Sequence, residues 1–357
     1  MYWQEQGVSW VPTYSKDETF SIFLALLEGG LKKIPTFPAV SASSSFLMLE
    51  NSTSSSDLIS KKSMPDVAGE TTLLFSGVLD SVGMSGIEVP VLLRDSRGGE
   101  VLRLSARADA FVNLNQPQAR GIHMSRLFKD VQDGLTSKTL DLDLLGEIAQ
   151  NFLRSHEDLS DRADLAVSFE ALLSRPALKS ANSGWRSYPV KLSAQLKKGS
   201  APVYSTEVLV TYSSTCPASA ALSRQLIQQN FTAQFGESKV ESTAVREWLG
   251  TPRGINATPH AQRSFARVCV QTAGNFDFVQ LIDLVEQVLA TPVQTVVKRE
   301  DEQEFALRNG QNLMFCEDAA RKVKKALDLR PELIGYTAEF RHVESLHPHD
   351  AVAIIKK

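Results

Sequence analysis

Beyond residue 100 nearly every stretch of the chain carries one of two hydrophobic periods, and their order leaves few folds open. Val101–Leu114 alternates apolar and polar residues, as Thr71–Leu79 and Glu88–Leu93 do before it. That is the period-two signature of half-buried strands. Helical spacing follows over His123–Leu135 and over Thr139–His156, where Leu140, Leu144, Ile148 and Phe152 share a face. Strand patterns return at Asp164–Leu173, Tyr188–Leu196 and Val203–Thr211. The second half repeats the order. A helix over Ala218–Gln234 starts behind Pro217, a position that suits proline, and a strand occupies Gln262–Thr272. Helices over Phe276–Leu289, Glu300–Arg308 and Leu313–Leu327 then lead to closing strands at Thr337–His342 and Asp350–Lys356. Strands, paired helices and strands again, twice over, predict an α+β protein built of two similar modules. The polar stretch Ser174–Trp185, with its proline and glycine, is the natural boundary. The modules then span 64–180 and 181–357, and the second carries most of the chemistry-bearing residues.

Residues 1–63 stand apart. Ser41–Ser56 is serine-rich and the segment lacks sustained periodicity, which predicts a disordered extension. Its apolar run Phe20–Leu27 is too short to span a bilayer and follows Asp17 and Glu18 rather than basic residues. It therefore reads as neither membrane segment nor export signal. A formal net charge of −3 gives no reason to expect a nucleic-acid partner. Three cysteines in 357 residues make no disulfide framework and suit a reducing cytoplasm. Cys269, in the run Val-Cys-Val, reads as a buried small hydrophobe.

Two short runs carry metal-ligand chemistry. Ser214–Ser219 presents Cys216, between a strand and a helix start where amides favour a thiolate. Ala257–Ser264 presents His260. Downstream lie Glu302, in Lys-Arg-Glu-Asp-Glu, and Glu317, in Cys-Glu-Asp. Thiolate, imidazole and carboxylate are the donors of a catalytic divalent site that keeps one position open for water, and a further acid nearby can move the proton. Each residue has a plainer reading: a structural cysteine, a solvated loop histidine, acids that cap helix starts. His347, in Glu-Ser-Leu-His-Pro-His-Asp, belongs to a metal tract or an exposed loop. Arg120, His123 and Arg126 crowd ahead of a helix, where amides and guanidinium groups suit phosphates. The plainer alternative is a basic helix cap with Leu127 and Phe128 in the core. No Walker loop or dinucleotide glycine pattern is present, which excludes the ordinary nucleotide folds.

Six motifs in order, from about Met64 to the C-terminus, resemble the prokaryotic type IB GTP cyclohydrolases. They are Val82-Gly-Met-Ser-Gly-Ile-Glu-Val-Pro90, Arg120-Gly-Ile-His-Met-Ser-Arg-Leu127, Ser214-Thr-Cys-Pro-Ala-Ser219, His260-Ala-Gln-Arg-Ser264, Phe315-Cys-Glu-Asp318 and Glu344-Ser-Leu-His-Pro-His-Asp350. The resemblance implies tandem tunnelling-fold (T-fold) modules, antiparallel sheets with paired helices, and a homotetramer that closes a barrel with active sites at subunit interfaces. It implies conversion of GTP and water to 7,8-dihydroneopterin triphosphate and formate, the first step of tetrahydrofolate biosynthesis, with a divalent metal such as manganese, zinc or iron. The implied metal ligands are Cys216, His260 and Glu302. Glu317 is the implied proton-transfer acid, His347 a catalytic histidine, and Glu344 the anchor for the purine. Arg120, His123 and Arg126 are then the expected triphosphate contacts. The alternative is a T-fold protein that binds a purine or pterin without turnover or with a different specificity. Three features depart from the pattern. Ala218 stands where a second motif cysteine is usual, the 217–259 segment is long, and residues 1–63 have no counterpart.

Overall fold

Among the residues described by the computed structural model, 75–94 and 99–357, eight strands form one antiparallel sheet whose spatial order is simply sequence order. The strands are β1 Leu79–Arg94, β2 Val101–Leu114, β3 Arg162–Pro176, β4 Ser183–Lys197, β5 Val203–Thr215, β6 Ala261–Thr272, β7 Gly335–His342 and β8 Ala351–Lys356. Helices α1 Met124–Ser137 and α2 Leu142–Ser155 lie between β2 and β3. Helices α3 Pro217–Phe235 and α4 Ser242–Leu249 fill the long segment between β5 and β6. Helices α5 Phe278–Leu289, α6 Arg299–Gln311 and α7 Cys316–Asp328 separate β6 from β7.

The extension expected over 1–63 lies outside the described residues. So does 71–74 of the first expected strand; residues 75–78 are not in a strand, and pairing begins at Leu79. The connection at 177–182 joins β3 to β4, which pair along their whole lengths from Arg162–Lys197 to Pro176–Ser183. Residues Met64–Lys357 belong to one compact unit. No helix among the described residues is long and apolar enough to cross a membrane.

The first sequence motif is explained by β1. Its register against β2 shifts between Met84 and Ile87, a bulge that needs an unusual backbone at one residue. Gly86 supplies it, with φ +71°. Asp109 Oδ1 holds the bulge by accepting from Ser85 Oγ (2.6 Å) and from the Gly86 amide (2.9 Å). At Gly83 the neighbouring strand comes so close that a Cβ would sit 2.0 Å from the Ala110 carbonyl oxygen.

Strand parity divides the sheet into two unlike faces. Inward residues such as Ala108, Ala110, Val112, Leu165, Val167, Leu192, Val208, Val210, Val268 and Phe340 are buried, while Arg107, Glu207, Arg267 and Arg341 stand on the other face. Among the described residues, helices α1, α2, α5 and α7 pack on the inward face. Leu127, Val131 and Leu135 of α1 and Leu145, Ile148 and Phe152 of α2 complete the core there, at the i, i+3, i+4 spacing of an apolar stripe. Phe128, one position past Leu127, is turned out and exposed. Cys269 also differs from expectation: Val268 and Val270 take the inward slots, so its side chain falls on the polar face, half-buried beside Glu207. Burial there pushes its thiol up to about 11.

Candidate active site

At one end of the sheet the inward slots stop being apolar. The β5 series Val208, Val210, Tyr212 ends in Ser214; β6 opens with Gln262 and Ser264 before Ala266; β7 ends in His342 after Phe340. These buried polar groups satisfy one another, as burial requires. Ser214 Oγ lies 2.8 Å from Ser264 Oγ and 3.2 Å from His342 Nδ1, and Tyr212 Oη lies 2.9 Å from His342 Nε2. Burial pushes the His342 imidazole from its usual 6.5 down to about 4. The unfolded chain takes up this proton near pH 6.5 and the folded chain does not. The folded state is therefore expected to lose stability as pH falls from about 6.5 to about 4. Melting temperature against pH should show a shallower loss in His342→Gln; identical slopes would remove His342 from the acid sensitivity.

A cavity of about 390 Å³ opens over this polar end. Its walls include Cys216, His260, Gln262, Glu317, His342, Glu344 and His347. Five of these residues were expected to act together from sequence, and they arrive from different elements. Cys216 is the N-cap of α3: its Sγ accepts from the Ser219 amide at 3.5 Å, and Pro217 begins the helix. The Cys216 amide donates to the His260 carbonyl (3.2 Å), and the His260 amide donates to Ser219 Oγ (3.1 Å). Thiol and imidazole are thus tied together through the backbone just beyond the β5–β6 pair. His260 Nδ1 lies 3.0 Å from Gln262 Oε1. Glu317 lies in the first turn of α7, where the helix N-terminus favours a negative charge. Its own backbone amide and the Cys316 thiol, 3.3 Å from Oε2, hold its carboxyl below the usual range. Burial and Glu317 push the Cys316 thiol up to about 11, so Cys316 donates as a neutral S–H. Glu344 is half-buried and His347 exposed, its ring stacked 5.1 Å from that of His349.

Two expected groups are not in this cavity. Glu302 is exposed in the first turn of α6. Its neighbour Asp301 is the residue turned inward, fully buried and accepting from the Lys179, Ser180 and Lys298 amides at 2.8 Å and from Ser180 Oγ at 2.6 Å. A helix rotates about 100° per residue, so anchoring Asp301 faces Glu302 elsewhere. Among the described residues no group of three His, Cys, Asp or Glu side chains is arranged to hold a metal ion. The donors present fit a soft or borderline divalent cation as a pair, Cys216 and His260.

Of the second group, His123 and Arg126 line a separate polar cavity of about 650 Å³. They share it with Arg154, Ser155 and His156, and Arg126 Nη1 donates to the Ser155 carbonyl at 2.5 Å. Arg120 is exposed just before it. This cavity sits where β2 ends and β3 begins. The Cys216 cavity sits at the opposite end of the strands, across the 13 residues of β5, roughly 40 Å at ~3.3 Å per residue.

Gln262, His342, Ser214 and Ser264 were missed by motif reading. Their signal was parity: a polar residue in an inward slot of an otherwise apolar strand is unusual enough to mark a site.

Residues 64–353 match the family model GCHY-1, type I GTP cyclohydrolase folE2. A GTP cyclohydrolase FolE2 from Bdellovibrio bacteriovorus is 57% identical over 300 residues, covering 84% of this chain and 98% of that protein. One from Pseudoalteromonas translucida is 48% identical over 297 residues, covering 82% and 97%. Among solved structures, uricase from Arthrobacter globiformis is 8% identical, with a TM-score of 0.44 over 80% of this chain and 94% of that one.

Proposed function

The chain belongs to the type I GTP cyclohydrolase family, and we propose that it is a metal-dependent enzyme converting GTP and water to 7,8-dihydroneopterin triphosphate and formate, as in the first step of tetrahydrofolate biosynthesis. The observation that carries this reading is the single cavity shared by Cys216, His260, Glu317, Glu344 and His347. Cys216 and His260 would hold a divalent cation, manganese, zinc or iron, and Glu302 is the third ligand by resemblance alone. When bound, the metal supplies a nucleophilic water at neutral pH. The Glu317 carboxylate takes the proton of the attacking water and returns it to a departing nitrogen. His347 protonates a purine nitrogen, which makes C8 more electrophilic. Glu344 accepts from the guanine N1–H and 2-amino group, an arrangement that leaves the carboxylate without those donors when the base is adenine.

Arg120, His123 and Arg126 would take the triphosphate. Because their cavity lies a strand's length from the Cys216 cavity, they would serve a site completed by a second copy, consistent with a homotetramer of tandem T-fold modules. The element order β1-β2-α1-α2-β3-β4 supports the first such module.

Incubation with GTP and each metal, followed by oxidation, should yield neopterin fluorescence and formate in equal amounts. No formate with manganese, zinc or iron would overturn the reading. The family match begins at residue 64, and among the described residues the buried core starts at Ile87. A chain starting at Met64 is therefore expected to keep folding and turnover close to those of the full chain. Insoluble or inactive protein would show that the first 63 residues contribute to the enzyme.

A further inference from the structure

We infer that Gln262 is a positioning and specificity-determining residue that couples the metal-binding imidazole of His260 to the purine-anchoring carboxylate of Glu344. The inference rests on the function proposed above.

The strand register puts these three residues on one face. Ser264 pairs with His342, and the ladder runs on through the Val343 amide, which donates to the Arg263 carbonyl at 3.2 Å. Continuing it one step sets Glu344 opposite Gln262. His260 precedes Gln262 by two residues and so falls on the same side. Gln262 is 8% exposed, and a primary amide that deep needs its groups paired. Both of its ends are used within the site: Oε1 lies 3.0 Å from His260 Nδ1, and Nε2 lies 3.4 Å from Glu344 Oε1.

Chemistry then sets every proton along the row. An ionised carboxylate only accepts, so the Gln262 NH₂ must face Glu344. Its carbonyl is left facing His260, and a carbonyl also only accepts. His260 Nδ1 must therefore carry the hydrogen, which leaves the Nε2 lone pair free as a metal donor. Ser345 Oγ, 3.4 Å from the same Nδ1, is a hydroxyl and can accept as well. The carboxylate that reads guanine thus fixes the tautomer of the imidazole that binds metal, with Gln262 as the link. The same amide takes one lone pair of Glu344 Oε1 and leaves Oε2 and the second lone pair of Oε1 for the two donors of the base.

Two substitutions separate the arms. Gln262→Met keeps the length and loses both bonds. Gln262→Glu keeps an acceptor for His260 Nδ1 but replaces the donor to Glu344 with a second carboxylate. Three readouts are taken on variants whose circular dichroism and melting temperature match the parent chain: zinc affinity by competition with a chromophoric chelator, kcat/KM for GTP, and kcat/KM for ITP, which lacks the 2-amino group. Gln262→Met is expected to weaken zinc by roughly 10–100-fold and to compress the GTP-over-ITP preference by roughly tenfold. Gln262→Glu is expected to keep zinc affinity near the parent value while losing the same preference. Zinc affinity and GTP/ITP ratio both unchanged in Gln262→Met, with the parent chain active, would overturn this inference and leave the function standing. A parent chain inert toward GTP would remove the function and the inference with it.

Discussion

Glu317→Gln lowers GTP turnover by roughly 10²–10⁴, the usual cost of a lost general acid–base group, while bound metal and GTP affinity stay close to the parent values. The amide keeps the size of the side chain and its place at the start of α7 but cannot accept a proton. The effect should fall on kcat rather than KM, since the carboxylate moves a proton during the reaction and does not anchor the bound base. The local environment keeps Glu317 in the ionised form that can accept a proton. The Glu317 amide and the Cys316 thiol hold the carboxyl below its usual 4.5, so Glu317 is ionised throughout the neutral range. Activity that depends on it is lost only as pH falls below about 4.5, not between pH 6 and 8. Metal analysis and GTP binding on the purified variant check the first half, and single-turnover formate release checks the second. Normal turnover in Glu317→Gln would remove it from the reaction. Loss of metal would make it a ligand.

Cys216→Ala is expected to abolish turnover and to weaken metal binding, because the cavity loses the sulfur that pairs with His260. The backbone bonds around it do not involve the sulfur: the Cys216 amide still reaches the His260 carbonyl, and the Ala220 amide still reaches the carbonyl of residue 216. The fold should survive, with only the weak Ser219 N–H···S cap lost. Metal content per chain, measured after purification without chelator, is the direct readout. Full occupancy with normal activity would exclude Cys216 as a ligand. The companion Glu302→Gln tests a residue that stands outside the cavity. Reduced metal content there would assign Glu302 to the metal despite its exposed place on α6. Unchanged metal and unchanged turnover would leave Cys216 and His260 as the ligand pair, with the remaining positions filled from elsewhere.

The expected elements and the observed ones agree closely where a strand or helix shows a strong period. α2 was expected over Thr139–His156 and spans Leu142–Ser155; β6 was expected over Gln262–Thr272 and spans Ala261–Thr272. Strand ends did worse. β4 was expected over Tyr188–Leu196 and begins at Ser183, because Gly184 and Arg186 take inward slots that apolarity alone does not flag. Arg186 is held there by Glu286, whose carboxylate also accepts from Tyr188. Cys269 was misassigned for the opposite reason: a run of three apolar residues hides which of them faces in.

The residue types of the candidate site were legible as chemistry, since thiol, imidazole and carboxylate keep their character wherever they stand. Hydrophobic period likewise determined the α+β class, because it depends only on neighbours along the chain. Which of those residues share a cavity was decided by tertiary structure. Strand register set Gln262 beside His260 and opposite Glu344. Anchoring of Asp301 to the 179–180 turn faced Glu302 away, and antiparallel order put the Arg126 cavity a strand's length from Cys216. Register and helix rotation are fixed by contacts between residues far apart in the chain: a one-residue slip of a strand turns its other set of side chains to the site, and one residue of helix rotation carries a side chain about 100° away, while the local pattern stays unchanged.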